Sequence, residues 1–395
     1  MNISMKHMIP LVLLLTVLHS CVEPDPDAHA YTVQITAAYD EEVPQPFYKG
    51  AKVVLANLTK SYSLTAYTND SGRVSFDNIE PGFYSANVVH SFSDAGAVFH
   101  LNGYALLDVF NTMEDTVPVV TSKTNAWVIK QYYYSACLTP AGNQYSDDQF
   151  IEIHNNSDMV QYVDGISVIE HESYSLEENY WKFLEDTIVA RMIMTIPGNG
   201  TDYPVQPGES IVIARDAINH QDSVLGNPLC PVNLEFAEFE FFVFRETGGD
   251  LDALYADNMI ENLFTFRGSD VVFHTRGGSA IAIALIPGTQ EEKQEFVDNH
   301  QVLKVTSSDR YYGKVPNEYI LDAVEVTWDE DHAIYKRFPL ELDAGYTYVP
   351  AGARSGLCVR RKVDTIADGR YIYQDTNNST EDFIKDVVPK PWINE

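Results

Sequence analysis

A chain of 395 residues, 45% hydrophobic and 12% aromatic, is long enough to bury the cores of two or three domains. Its 26 basic residues against 57 acidic ones give a formal charge of −31. Phosphate backbones are held by fields of lysine and arginine, so nucleic acid is excluded as a partner, while the acidity suits a soluble exposed surface or cation binding.

At the N-terminus, Lys6 is followed by an apolar run over residues 9–18 and then by Ser20 and Cys21. The run is about half the ~20 residues that a membrane-spanning helix needs. Residues 1–20 therefore read as a signal peptide. Leu18, Ser20 and Cys21 resemble a bacterial lipobox, although His19 is a less usual residue there. The resemblance implies acylation of Cys21, with two chains gripping a membrane where one would bind only marginally. Val22-Glu23-Pro24-Asp25-Pro26-Asp27 follows, so residues 21–28 read as a stiff, charged tether. Acidic residues after an acylated cysteine also resemble the surface-export signal of Bacteroidota lipoproteins, which implies an outer-membrane, lipid-anchored protein facing outwards.

Residues 29–122 read as short strands. Val33, Ile35 and Ala37 alternate with polar neighbours, and Val53 and Leu55 repeat the pattern. In TAYTNDSGRVSFDNIEPGFYSANVV, residues 65–89, Asn69-Asp70-Ser71-Gly72 is turn chemistry before Val74 and Phe76. Pro81-Gly82 makes a second turn before the alternating Tyr84, Ala86 and Val88. This segment resembles the transthyretin-like or carboxypeptidase-regulatory-like β-sandwich, which implies a spacer or docking platform without catalytic residues. His90 and His100 read as exposed strand residues.

Residues 123–395 read as a second, larger β-sandwich. Phe150 to Ile153 is a strand, Asn155 to Asp158 a turn, and Pro207-Gly208 feeds the strand from Ser210 to Ala214. The phrases FIEIHNNS, VDGISV and PGESIVIA resemble the lamin-tail fold, an immunoglobulin-like sandwich used as an attachment module. The likeness resumes at residues 320–325 and 355–361, with long insertions between. One insertion carries FAEFEFFVF, residues 236–244, whose spacing fits neither helix nor strand. Another carries a capping box, Thr289-Gln290-Glu291-Glu292, that predicts a short helix with Phe296 and Val297 on its apolar face. Together the phrases make the chain resemble an uncharacterised family of Bacteroidota surface lipoproteins. The expected class is all-β, with two β-sandwich domains, immunoglobulin-like and transthyretin-like, the second elaborated with insertions and a short helix.

Catalytic patterns are missing. There is no G-x-S-x-G elbow and no phosphate-cradling loop, and His171-Glu172 is not continued as H-E-x-x-H. Cys137, Cys230 and Cys358 are far apart without a C-x-x-C, so they read as buried small residues rather than a zinc pattern, with at most one disulfide. Three acidic constellations invite a metal reading. Asp329, Asp331 and His332 gather hard donors on a loop, and Asp375, Asn377, Ser379 and Asp382 have the alternating oxygens of a calcium loop, with Thr380 where its turning glycine would stand. Asp147-Asp148 reads as a solvated loop. Tyr132 and Tyr134 share one face of a strand and could stack on a ligand, with Tyr133 on the other.

No cofactor is expected, calcium being the one ion that the spacing suggests. The functional expectation is a non-enzymatic binding or accessory module at the outer membrane, capturing iron, haem or glycan with an outer-membrane transporter or another surface protein as partner. The alternatives are a metal- or carboxylate-dependent hydrolase in the second-domain insertions, and a structural adhesin or scaffold.

Overall fold

In the computed structural model, residues 30–39, 48–60, 62–94, 97–121, 124–224, 226–246, 248–266, 268–306 and 309–395 are described. Cys21, the signal peptide and the tether lie outside them. The chain is all-β: strands build every layer, and helix is confined to short pieces.

The first unit is one seven-stranded sheet made of β1 (Tyr31–Tyr39), β2 (Lys52–Asn57), β3 (Tyr62–Tyr67), β4 (Arg73–Ile79), β5 (Gly82–Asp94), β6 (Ala97–Val109) and β7 (Met113–Thr121). The strand order is β3-β2-β5-β6-β7-β1-β4, with β1 and β7 parallel and every other pair antiparallel. Alternation decides which side chains go inwards. Val33, Ile35, Val53, Leu55, Phe76, Tyr84, Ala86 and Val88 are all buried in one cluster. A single sheet can enclose such a cluster only by folding over on itself, so its two ends face each other across the apolar layer. Gly72 takes φ +72° in the turn before β4, while Asn69 Oδ1 accepts from the Ser71 amide at 2.9 Å. His90 lies on β5 and is 8% exposed beside Tyr39 and Phe92. It is therefore not the exposed strand residue expected, because this end of the strand is covered by aromatic rings.

The second unit packs two seven-stranded sheets face to face. One contains Trp127–Tyr133, Phe150–Asn155, Ser210–Ala214 and Cys358–Arg361 as its central run. The other is centred on Ile166–Tyr174, Thr187–Thr195, Ser279–Leu285 and Ile320–Val324. Ile129, Ile151 and Ile213 from the first sheet meet Val168, Met192 and Ile283 from the second in the main core. Both outer faces are covered too. Ala190, Ala280, Ala282 and Ala284 lie under Val297 of the helix Gln290–Asn299 and under Phe338. Across the molecule, Tyr133, Phe150 and Val212 lie under Val232, Leu234 and Ala237 of an insertion. Strands buried on both faces need apolar residues at every position, which is why Ser279–Leu285 reads SAIAIAL.

The helix begins where its sequence predicts. Thr289 caps it, and the reciprocal bond from the Thr289 amide to Glu292 Oε2 measures 2.8 Å. The phenylalanine-rich insertion resolves into a two-residue parallel strand, Phe239–Glu240, with Phe239 and Phe241 in the core and Phe236 and Phe244 exposed. Two buried ion pairs lie inside this unit: Lys130 Nζ is 2.8 Å from Glu152 Oε1 with both side chains fully enclosed, and Arg337 holds Glu325.

Candidate functional site

The tyrosines expected on an open face are inside. Tyr132 is 1% exposed and Tyr134 0%, both in the main core, and Tyr134 Oη accepts from the Val349 amide at 2.9 Å. Tyr133 does point the other way, into the apolar layer beneath the insertion. The alternation holds, but the binding reading of Tyr132 and Tyr134 is corrected, because the facing sheet covers them.

The calcium reading of residues 375–382 is corrected as well. Asp375 Oδ1 and Asp382 Oδ2 lie 3.2 and 3.3 Å from Arg361 Nη1. Ser379 donates its amide to Asp343 Oδ1 at 2.8 Å, and Asn377 gives its side-chain amide to the Glu341 carbonyl at 3.0 Å. The cation these carboxylates surround is the guanidinium of Arg361. His332 Nδ1 sits 2.6 Å from Asp329 Oδ1, while Asp331 is exposed and faces elsewhere. Among the described residues, Asp329, Asp331 and His332 do not bring three ligand atoms to one point.

Asp331 instead lines a cleft of about 250 Å³ between the two units. Its floor is the outward face of three adjacent strands, with Val54 and Ala56 from β2, Ser85 and Asn87 from β5, and Tyr104 from β6. Asn87 and Tyr104 are direct cross-strand partners, so amide and ring stand side by side. The opposite wall comes from the second unit: Glu330 and Asp331 at a 3₁₀ turn, Tyr346, and Asn378 and Thr380 at the short helix Ser379–Asp382. Tyr62 closes one side, its hydroxyl 2.6 Å from that of Tyr84.

The cleft is held open by a polar joint beside it. Asn102 is fully buried; its Nδ2 donates to the Thr376 carbonyl at 2.7 Å and its Oδ1 accepts from Asn378 Nδ2 at 3.0 Å. Lys52 reaches Glu381 Oε1 at 2.7 Å across the same boundary. Burial pushes the Tyr104 hydroxyl up to about 12 and raises that of Tyr346 further, so both are protonated donors at neutral pH. The described lining carries three carboxylates, Glu330, Asp331 and Glu381, of which Glu381 is paired with Lys52, and the ammonium groups of Lys336 and Lys385 stand 5.3 and 5.4 Å from the ring centres of Tyr104 and Tyr346. Such a surface offers rings, hydroxyls and amides, which suits a neutral polyhydroxylated ligand.

Sequence reasoning singled out the acidic stretch holding Glu330 and Asp331, as a metal site, and assigned no binding role to Tyr346, Asn378 or Thr380. A signal was present for the floor: Asn102 and Tyr104 lie on the same side of a strand whose other side carries Leu101. The wall segments have no local pattern, because the fold alone brings residues 330–346 and 378–381 to β2 and β5.

No protein with a curated description matches the chain. A crystal structure of a DUF4876 family protein from Bacteroides thetaiotaomicron is similar at 28% identity and a TM-score of 0.57, over 91% of this chain and 96% of that one. A DUF3823 family protein from Bacteroides ovatus, at 12% identity and TM-score 0.18 over 47% of this chain and 99% of that one, and a streptococcal ancillary pilin, at 11% and 0.18 over 60% and 62%, superpose too poorly to bear on fold or function. Residues 206–390 match the model of a family described as a protein of unknown function, DUF4876.

Proposed function

We propose that the protein is a lipid-anchored binding protein at the bacterial outer surface, without chemistry of its own, which presents a glycan to an outer-membrane transporter. The lipobox around Cys21 and the acidic tether support the location. The observation that carries the binding reading is the cleft between the units, where Tyr62, Tyr104 and Tyr346 stand among amides and hydroxyls. Aromatic rings cover the apolar faces of sugars while polar groups take their hydroxyls. Haem or an anionic iron chelate is served less well, since its carboxylates would meet Glu330 and Asp331, while the nearby Lys52 is already engaged by Glu381.

Calorimetric titration of the purified chain against neutral oligosaccharides and against haem tests the reading. A glycan should bind, and Tyr104→Ala and Tyr346→Ala should each weaken it at least tenfold, about 1.4 kcal/mol. Haem binding that both variants retain, with no glycan bound, would refute it.

A further inference from the structure

The fold brings together three groups that lie far apart in the sequence. Cys137 stands on the short strand Cys137–Leu138, Asp148 just before the strand Phe150–Asn155, and Cys230 on the insertion that covers this face. Their ligand atoms all lie within 4.8 Å of one another, and the residues are 4%, 0% and 4% exposed. Asp148 is thus not the solvated loop residue expected from Asp147-Asp148, because the insertion closes over it.

The hydrogen bonding of the trio is incomplete. Asp148 Oδ2 accepts from Tyr133 Oη at 2.8 Å and from Cys230 Sγ at 3.1 Å. Asp148 Oδ1, equally enclosed, has no hydrogen-bond partner among the described residues. A buried carboxylate oxygen left alone is costly, and something in the native environment should satisfy it. Asn227 Nδ2 meanwhile points at Cys137 Sγ from 3.1 Å, an amide donor aimed at sulfur as a thiolate requires. A disulfide between the cysteines would aggravate the deficit, since it removes the thiol proton now donated to Asp148.

We propose that Cys137, Cys230 and Asp148 form a binding site for a thiophilic divalent cation of the zinc type. Two thiolates and a carboxylate carry three negative charges; a divalent ion leaves one, which the Tyr133 hydroxyl and the Asn227 amide stabilise from behind. Binding releases the two thiol protons to solvent. Sulfur ligands select a borderline or soft ion over calcium or magnesium, and three protein ligands leave a tetrahedral ion one further position.

The test is titration of the reduced full-length chain with Co²⁺, read by absorption, followed by displacement with Zn²⁺. One ion per chain should bind with a sulfur-to-cobalt charge-transfer band that zinc abolishes. The band should be lost in Cys230→Ser, Asn227→Ala should weaken affinity about 10–100-fold, and Cys358→Ser should bind as wild type. Should Cys230→Ser fail to fold, the wild-type spectrum alone decides. A folded wild-type chain without the band, or a Cys137–Cys230 disulfide in protein isolated from cells without reductant, would overturn the proposal.

Discussion

Arg361 Nη2 donates to Asp322 Oδ2 at 2.6 Å, with both side chains 2% exposed, and so ties the strand Cys358–Arg361 of one sheet to Ile320–Val324 of the other. The same guanidinium faces Asp375 and Asp382 and donates through Nε to the Ile129 carbonyl at 3.1 Å. Removing it would leave three enclosed carboxylates without their cation. Arg361→Ala should therefore lower unfolding free energy by about 3–5 kcal/mol, measured as a fall in the urea midpoint at unchanged slope. A loss below about 1 kcal/mol would mean that water or rearrangement replaces the arginine.

The joint between the units rests on few groups, and Asn102 makes two of its bonds. Asn102→Ala removes the buried bonds to the Thr376 carbonyl and the Asn378 side-chain amide, a cost of about 1–3 kcal/mol. Calorimetry should then resolve two melting transitions where the wild type shows one. A variant that still melts in a single, unshifted transition would show that the apolar contacts suffice.

Asp216 supplies a pH dependence whose sign is fixed by its surroundings. Burial first, and the neighbouring Asp270 carboxylate second, push its carboxyl up from 3.8 to about 8. The folded chain keeps this proton where the unfolded chain has lost it. The stabilisation is full below about pH 3.8 and vanishes as pH rises through about 8, at about 1.4 kcal/mol for each unit crossed. Between pH 5 and pH 9 the wild type should lose stability relative to Asp216→Asn. A gap that stays constant in denaturant melts across that range would refute the assignment.

The anchor is tested in cells. On the proposed acylation of Cys21, Cys21→Ala should shift the protein from the membrane pellet to the soluble fraction, since the substitution removes the only point of attachment proposed for the acyl chains. Continued sedimentation through a carbonate wash would show that something other than lipid holds it.

Local signals in the sequence translate well into local structure. The capping box at Thr289 and Glu292 opens the helix as written, and the alternation at Tyr132, Tyr133 and Tyr134 assigns each ring to its side of the strand. What alternation cannot carry is what covers each side, and here a facing sheet and a remote insertion cover both. Asp148 fails for the same reason, its thiol partner Cys230 being 82 residues away. The alternating oxygens of residues 375–382 are equally compatible with calcium and with a guanidinium, and only the tertiary arrangement brings in Arg361.

The double covering of the second unit's sheets changes what counts as expendable in it. Segments that interrupt the sandwich, such as the helix Gln290–Asn299 and the stretch bearing Val232 and Leu234, coat apolar faces that would otherwise meet water. Trimming them towards a minimal sandwich would yield sticky slabs that self-associate. The sandwich and its coat are therefore one inseparable folding unit.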